Sequence, residues 1–151
     1  MHAASLNVVG SGTPEAKRLI VSGDRDWTDA AWMGLLMQAI ANSSPEAVIV
    51  HGAAKGADML AAEAAEKVGL IVEPHPAKWA EQGRSAGPRR NIKMLELGAV
   101  MVLAHHDDIR RSKGTKHMCE IALNAGVPVL LFSHSPTGTI KCQKVNSLDL
   151  A

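Results

Sequence analysis

The stretch Ala47-Val48-Ile49-Val50-His51-Gly52-Ala53-Ala54-Lys55-Gly56-Ala57-Asp58 decides how this chain folds. A short Val- and Ile-rich run gives way to a loop with two glycines. The Ala-rich segment Met59 to Val68 follows and stops at Gly69. A strand that is apolar on both faces belongs in a parallel sheet covered by helices on both sides. A glycine just past the last periodic residue is a helix stop. The unit reads strand, glycine loop, helix.

Working outward, the same unit recurs. Leu19-Ile20-Val21, Leu70-Ile71-Val72, Ala99 to Ala104 and Val127 to Phe132 read as further strands, each bounded by Gly, Pro or Asp. Ala30 to Ala41 reads as a helix capped by Thr28 or Asp29. Arg89 to Leu97 ends at Gly98, and Met118 to Ala125 ends at Gly126. Strands alternating with helices in this way predict an α/β three-layer sandwich around a five-stranded, mostly parallel sheet with right-handed crossovers. The domain spans 17–133. Residues 1–16, with Gly10, Gly12 and Pro14, read as a flexible leader. Residues 134–151, with Ser135-Pro136-Thr137-Gly138, read as a polar C-terminal tail.

Length and composition agree with one domain. A chain of 151 residues buries roughly 68% of the surface that its extended form exposes, enough for a core without metals or disulfides. Apolar residues make up 46% and charged residues 21%, which excludes disorder over the whole chain. One Phe, three Trp and no Tyr leave the core to Ala, Val, Leu, Ile and Met. Sixteen basic against fifteen acidic residues argue against a protein that grips long nucleic acid electrostatically. Cys119 and Cys142 are too few and too far apart for a disulfide framework. No run reaches the ~18 apolar residues of a membrane helix, and no secretory signal is legible. Cytoplasmic is the expected location.

In such a sheet the ligand crevice lies beyond the carboxyl ends of the strands, where the strand order reverses. Three loops fall there: Ser22 to Trp27, His51 to Asp58, and His105 to Thr115. Two of them bring glycine to a helix N-terminus, whose free N–H groups and positive dipole end suit a phosphate. Tight turning alone is the plainer reading of Gly52, Gly56 and Gly114. Ten of the sixteen basic residues, among them Lys55, Arg84 and Lys113, sit in loops or first helical turns on this edge or within reach of it. Arg89 and Arg90 at a helix start oppose the macrodipole, which an anionic ligand would offset. His105-His106-Asp107-Asp108 reads as a surface loop rather than a metal site, because adjacent side chains diverge. Trp27 and Trp79 each have two readings, core packing or stacking on a base.

The ordered set Gly23-Asp24-Arg25-Asp26-Trp27, His51 to Asp58, Pro76-Ala77-Lys78-Trp79, Ala86 to Met94 and Ser112-Lys113-Gly114-Thr115 resembles the YspA/cpYpsA-related branch of the SLOG superfamily. That superfamily unites the Smf/DprA proteins with the "lonely guy" (LOG) phosphoribohydrolases. The resemblance covers Arg18 to Phe132. It implies a Rossmann-like fold that binds a nucleotide or nucleotide-derived ligand, ADP-ribose-like or phosphoribosylated, at the glycine loops. Carried over as ligand-binding are Gly52, Gly56, Asp58, Gly114 and Thr115. Gly23, Arg25, Lys55, Arg89, Asn91 and Ser112 complete the candidate set from the same motifs. Asp58 has a second reading as a helix N-cap.

LOG enzymes are similar at Arg90-Asn91-Ile92-Lys93-Met94, and they carry a glutamate three residues past the glycine-threonine. Here that position is Met118. The nearest carboxylate is Glu120, which helical geometry turns about 160° away. A LOG-like hydrolase of nucleoside monophosphates, with Arg90 and Glu120 as its catalytic pair, is therefore the rival reading. A DprA-like binder of single-stranded DNA is a third, opposed by near-neutral charge and scarce aromatics. The expected partner is a nucleotide-derived small molecule, with no membrane and no resident cofactor or metal. By analogy with the LOG enzymes, a homodimer is expected.

Overall fold

A computed structural model describes residues 17–151, so the leader expected over 1–16 lies outside the described residues. Six strands form one sheet: β1 (Arg18–Gly23), β2 (Val48–His51), β3 (Ile71–Pro74), β4 (Met101–His105), β5 (Val129–His134) and β6 (Ile140–Lys144). Their order is β3-β2-β1-β4-β5-β6, with β1 to β5 parallel and β6 antiparallel to β5. The helices are α1 (Ala30–Ser43), α2 (Ala57–Lys67), the single turn α3 (Trp79–Gln82), α4 (Ala86–Glu96) and α5 (Gly114–Asn124). The architecture is Rossmann-like, and its order reverses between β1 and β4.

The two-residue period of the strands sorts the core into two layers. Ile20, Val50, Val102 and Ala104 pack under α4 and α5 with Met94, Met118 and Cys119. Val21, Ile49 and Leu103 face α1 and α2 with Met33, Met37, Ala61 and Trp27. Covering both faces is what makes these strands continuously apolar. Trp27 is thus a core residue.

The sheet has six strands, not five, and the sixth lies in the expected polar tail. Its partners run from Leu130 opposite Lys144 to His134 opposite Ile140. As an edge strand it is largely exposed, so it needs no apolar face, and Lys141 and Lys144 keep that edge from pairing further. Beyond it, Val145 and Leu150 are buried in the α4–α5 layer, and Asn146 with Asp149 closes a capping box. The segment is polar because it is an edge.

Helix starts also differ from expectation. α2, α4 and α5 begin at Ala57, Ala86 and Gly114 rather than at 59, 89 and 118. The first turns of α4 and α5 carry Gly87 and Pro88 or Gly114, which a periodicity reading takes for loop although first turns tolerate both. Arg90 is consequently the fifth residue of α4, beyond the reach of an N-terminal dipole penalty. Asp58 is the second residue of α2, and Gly56 holds the cap position. Asp29 does cap α1, accepting from the Trp32 N–H at 2.9 Å.

The loop expected to carry both His105 and His106 at the surface divides. His105 ends β4 and is fully buried, stacked on Phe132 with centroids 5.0 Å apart and edge-on to Trp27 at 5.2 Å. Neither ring nitrogen has a hydrogen-bond partner. Burial lowers its pKa to about 4, opposed only in part by the backbone of Leu103 and Ser22, so the ring is neutral at pH 7. Asp107 and Asp108 remain exposed. No group of His, Cys, Asp and Glu among the described residues could hold a metal ion, and no helix among them is long and apolar enough to cross a membrane.

Candidate functional site

A crevice of about 830 Å³ opens at the carboxyl end of the sheet where the strand order reverses. β1 and the turn after it contribute Ser22 to Asp26, and the loop after β2 and the start of α2 contribute Ala54 and Asp58. The segment from α3 into α4 contributes Trp79, Arg84, Gly87, Arg90, Asn91 and Met94. The loop after β4 contributes His106 and Ser112 to Thr115. Of the candidate residues, Gly23, Arg25, Asp58, Arg90, Asn91, Ser112, Gly114 and Thr115 therefore meet here.

The remaining candidates lie elsewhere. Lys55 and Arg89 are exposed and line no part of the crevice. Glu120 is exposed on the outer side of α5, in a separate shallow depression with Lys116 and Leu123. Met118, at the LOG glutamate position, is fully buried in the core. Gly52 and Gly56 stand behind the wall. A Cβ on Gly52 would strike the Arg90 guanidinium at 2.2 Å, and one on Gly56 would meet the Arg25 carbonyl at 2.4 Å. At φ +82° Gly56 also adopts a backbone that L side chains rarely enter. Gly56 lets the loops after β1 and β2 touch, as the 3.1 Å bond from the Ala57 N–H to the Asp24 carbonyl shows, and Gly52 leaves room for Arg90 of α4.

The first glycine loop is already filled by the protein's own anion. Asp58 Oδ2 accepts from the Gly52 N–H at 2.8 Å and the Ala54 N–H at 3.4 Å. Between them the Ala53 N–H donates to His51 Nδ1 at 2.9 Å, and Ala53 takes φ +58°. This is an amide nest of the kind that binds phosphate, closed around a side-chain carboxylate. Burial pushes the Asp58 carboxyl up to about 6, against the pull of those N–H groups and of Arg90 and Arg25. Arg90 buttresses the same loop: its Nη1 donates to the Gly52 carbonyl and, at 3.3 Å, to that of His75.

The second loop is open at Gly114. Ser112 Oγ accepts from the Thr115 and Lys116 N–H groups at 3.0 and 3.3 Å. Asn91, buried on α4, donates to the Gly114 carbonyl at 3.2 Å and fixes the start of α5. No side chain caps this helix from its N-cap position, Lys113. A Cβ on Gly114 would meet nothing within 4 Å, so its backbone faces free space. Across the crevice stand Arg25, Arg84 and Arg90.

Sequence reasoning named Asp24 and His106 without assigning them to the site. The Asp24 carboxylate accepts from the Asp26 N–H at 2.9 Å and lies 3.9 Å from His106 Nε2. Their position directly after β1 and β4 was the available signal.

Fold and crevice define a Rossmann-like domain with a cleft at the switch point of its sheet. The family model for YspA, cpYpsA-related SLOG proteins matches residues 17–81. The chain is 36% identical over 126 residues to the Gene 61 protein of Mycobacterium phage D29, an alignment covering 80% of this chain and 99% of that protein. This chain belongs to the YspA, cpYpsA-related SLOG family. Among solved structures, DNA processing protein A from Streptococcus pneumoniae superposes with a TM-score of 0.64 at 22% identity, covering 80% of this chain and 51% of that one. This chain thus spans about half the length of that protein. The molybdenum cofactor binding protein of Rippkaea orientalis gives 0.62 at 19% identity, over 82% of this chain and 80% of its own. Both likenesses are of fold.

Proposed function

We propose that this protein binds a nucleotide-derived small molecule, phosphoribosylated or ADP-ribose-like, with a phosphate over Ser112 to Thr115. The observation that carries this reading is the contrast between the two glycine loops. One has its amides closed on Asp58, while the other presents Gly114 to open space beside Lys113, with Arg25, Arg84 and Arg90 across the crevice. Asp24 and Asp26, in the turn that follows β1 between the two loops, add acceptors suited to sugar hydroxyls.

Gly114→Val is the clean test, because a Cβ at this position meets no protein atom within 4 Å. It should weaken AMP or ADP-ribose binding about tenfold or more by blocking close approach to the backbone. Thermal stability should stay near that of the wild type. Undiminished affinity in calorimetry would remove the phosphate from this loop.

N-glycosidic hydrolysis is the second reading, and Asp58 rather than Glu120 favours it. A buried carboxyl raised to about 6 at a crevice wall has the properties of a general acid or base. If AMP is turned over, chromatography should show free base whose release disappears in Asp58→Asn and survives Glu120→Gln. The reverse pattern would return the role to Glu120.

A further inference from the structure

Trp79 is the residue the ligand reading leaves unused. It is 49% exposed, whereas Trp27 is buried in the core. A large aromatic held half in water is informative when it lines a cleft. Trp79 opens α3, a single turn that passes through Gly83 and the 3₁₀ turn Gly83–Ser85 straight into α4. That reversal lays its ring against the first turn of α4. A Cβ on Gly87 would come within 3.1 Å of its Cη2, so the glycine leaves room for the indole at this angle. The Arg25 guanidinium lies 5.9 Å from the ring centroid, a cation–π distance that braces the indole from the β1 loop. Held from two elements and facing the crevice, the ring is a positioned surface.

We infer that Trp79 is a stacking platform for a planar heterocyclic base, so that the ligand carries an aromatic base at one end and a phosphate at the other. This rests on the phosphate being held at Ser112 to Thr115. Stacking on indole is tolerant of base identity because every base presents a π face. Trp79 therefore selects for the presence of a base, and Arg25 adds its guanidinium plane at the same wall.

The test compares ligands with and without the base. Wild type, Trp79→Phe and Trp79→Ala are titrated calorimetrically with AMP, GMP, CMP and UMP, and with ribose 5-phosphate. At least one nucleotide should bind the wild type about tenfold or more tighter than ribose 5-phosphate, quenching the emission of the exposed tryptophan as it does. Trp79→Ala should bring that nucleotide down to the affinity of ribose 5-phosphate, whose own affinity stays unchanged. Trp79→Phe should keep most of the difference. Nucleotides binding no tighter than ribose 5-phosphate, or Trp79→Ala weakening both alike, would overturn the platform while leaving the phosphate site standing. If neither ribose 5-phosphate nor any nucleotide binds the wild type, the phosphate site and the platform fall together.

Discussion

Asp58→Ala is expected to destabilise the protein by about 3–5 kcal/mol, the range for breaking a buried charge cluster by removing one partner. The change empties the nest formed by Gly52 and Ala54. It strands two amides and leaves Arg90 beside a loop that has lost its counter-charge. Asp58→Asn should fold nearly as well, because both bonds run to Oδ2 alone and an amide oxygen accepts them equally. The pH dependence identifies the cause. The folded carboxyl has a pKa of about 6, above the ordinary aspartate value of 3.8. Its stabilising contribution is therefore complete below about pH 4 and is lost as the pH rises through 6. That loss amounts to roughly 3 kcal/mol for a shift of this size. Urea denaturation at pH 4 and pH 7 should accordingly show a larger gap between wild type and Asp58→Ala at pH 4. Asp58→Asn should lack the wild-type decline across that interval. A gap that is the same at both pH values would mean that the carboxyl is not held in the nest. Millimolar formate, a small carboxylate, should recover part of the stability of the alanine variant.

Arg90→Ala should lower the melting temperature of the ligand-free protein, with a loss of about 2–4 kcal/mol for a charged side chain that satisfies otherwise unpaired carbonyls. Its Nη1 serves both the Gly52 and His75 carbonyls, and its Nε donates to Asn91 Oδ1 at 3.0 Å. One guanidinium thus joins α4 to the loops after β2 and β3. Arg90→Lys should recover little, since a single ammonium cannot reproduce that fork. Because Asp58 and Arg90 act on the same loop, the double variant should lose less than the two single losses added together. An unchanged ligand-free melt with affinity reduced about tenfold would instead make Arg90 a ligand residue and nothing more.

Much of this was legible in the residues. β2 and α2 announced themselves through a doubly apolar run and the stop at Gly69, and that pattern repeats along the chain. The helical turn put Met118 and Glu120 on opposite faces of α5, and in the fold the first is buried and the second exposed. β6 was hidden because an edge strand has no apolar face to display. The starts of α4 and α5 were hidden because first turns accept the Pro and Gly that elsewhere break helices. Asp58 illustrates a deeper limit. Its spacing from Gly52 fits a cap, a ligand contact and a nest occupant alike, and only the fold of the loop around Ala53 at positive φ separates them. Trp79 was ambiguous for a similar reason, since exposure belongs to the packed molecule and not to the motif.

The central claim is that phosphate binds at the open loop and not at the closed one. Backbone amide shifts of the isotopically labelled protein, followed by NMR as AMP is added, test it most directly. Large shifts are expected for Lys113 and Gly114, saturating together, whereas the Thr115 amide is already bonded to Ser112 Oγ. Gly52 and Ala54, whose amides are already bonded to Asp58, should move little. Saturating shifts at Gly52 and Ala54 with Gly114 unmoved would contradict it.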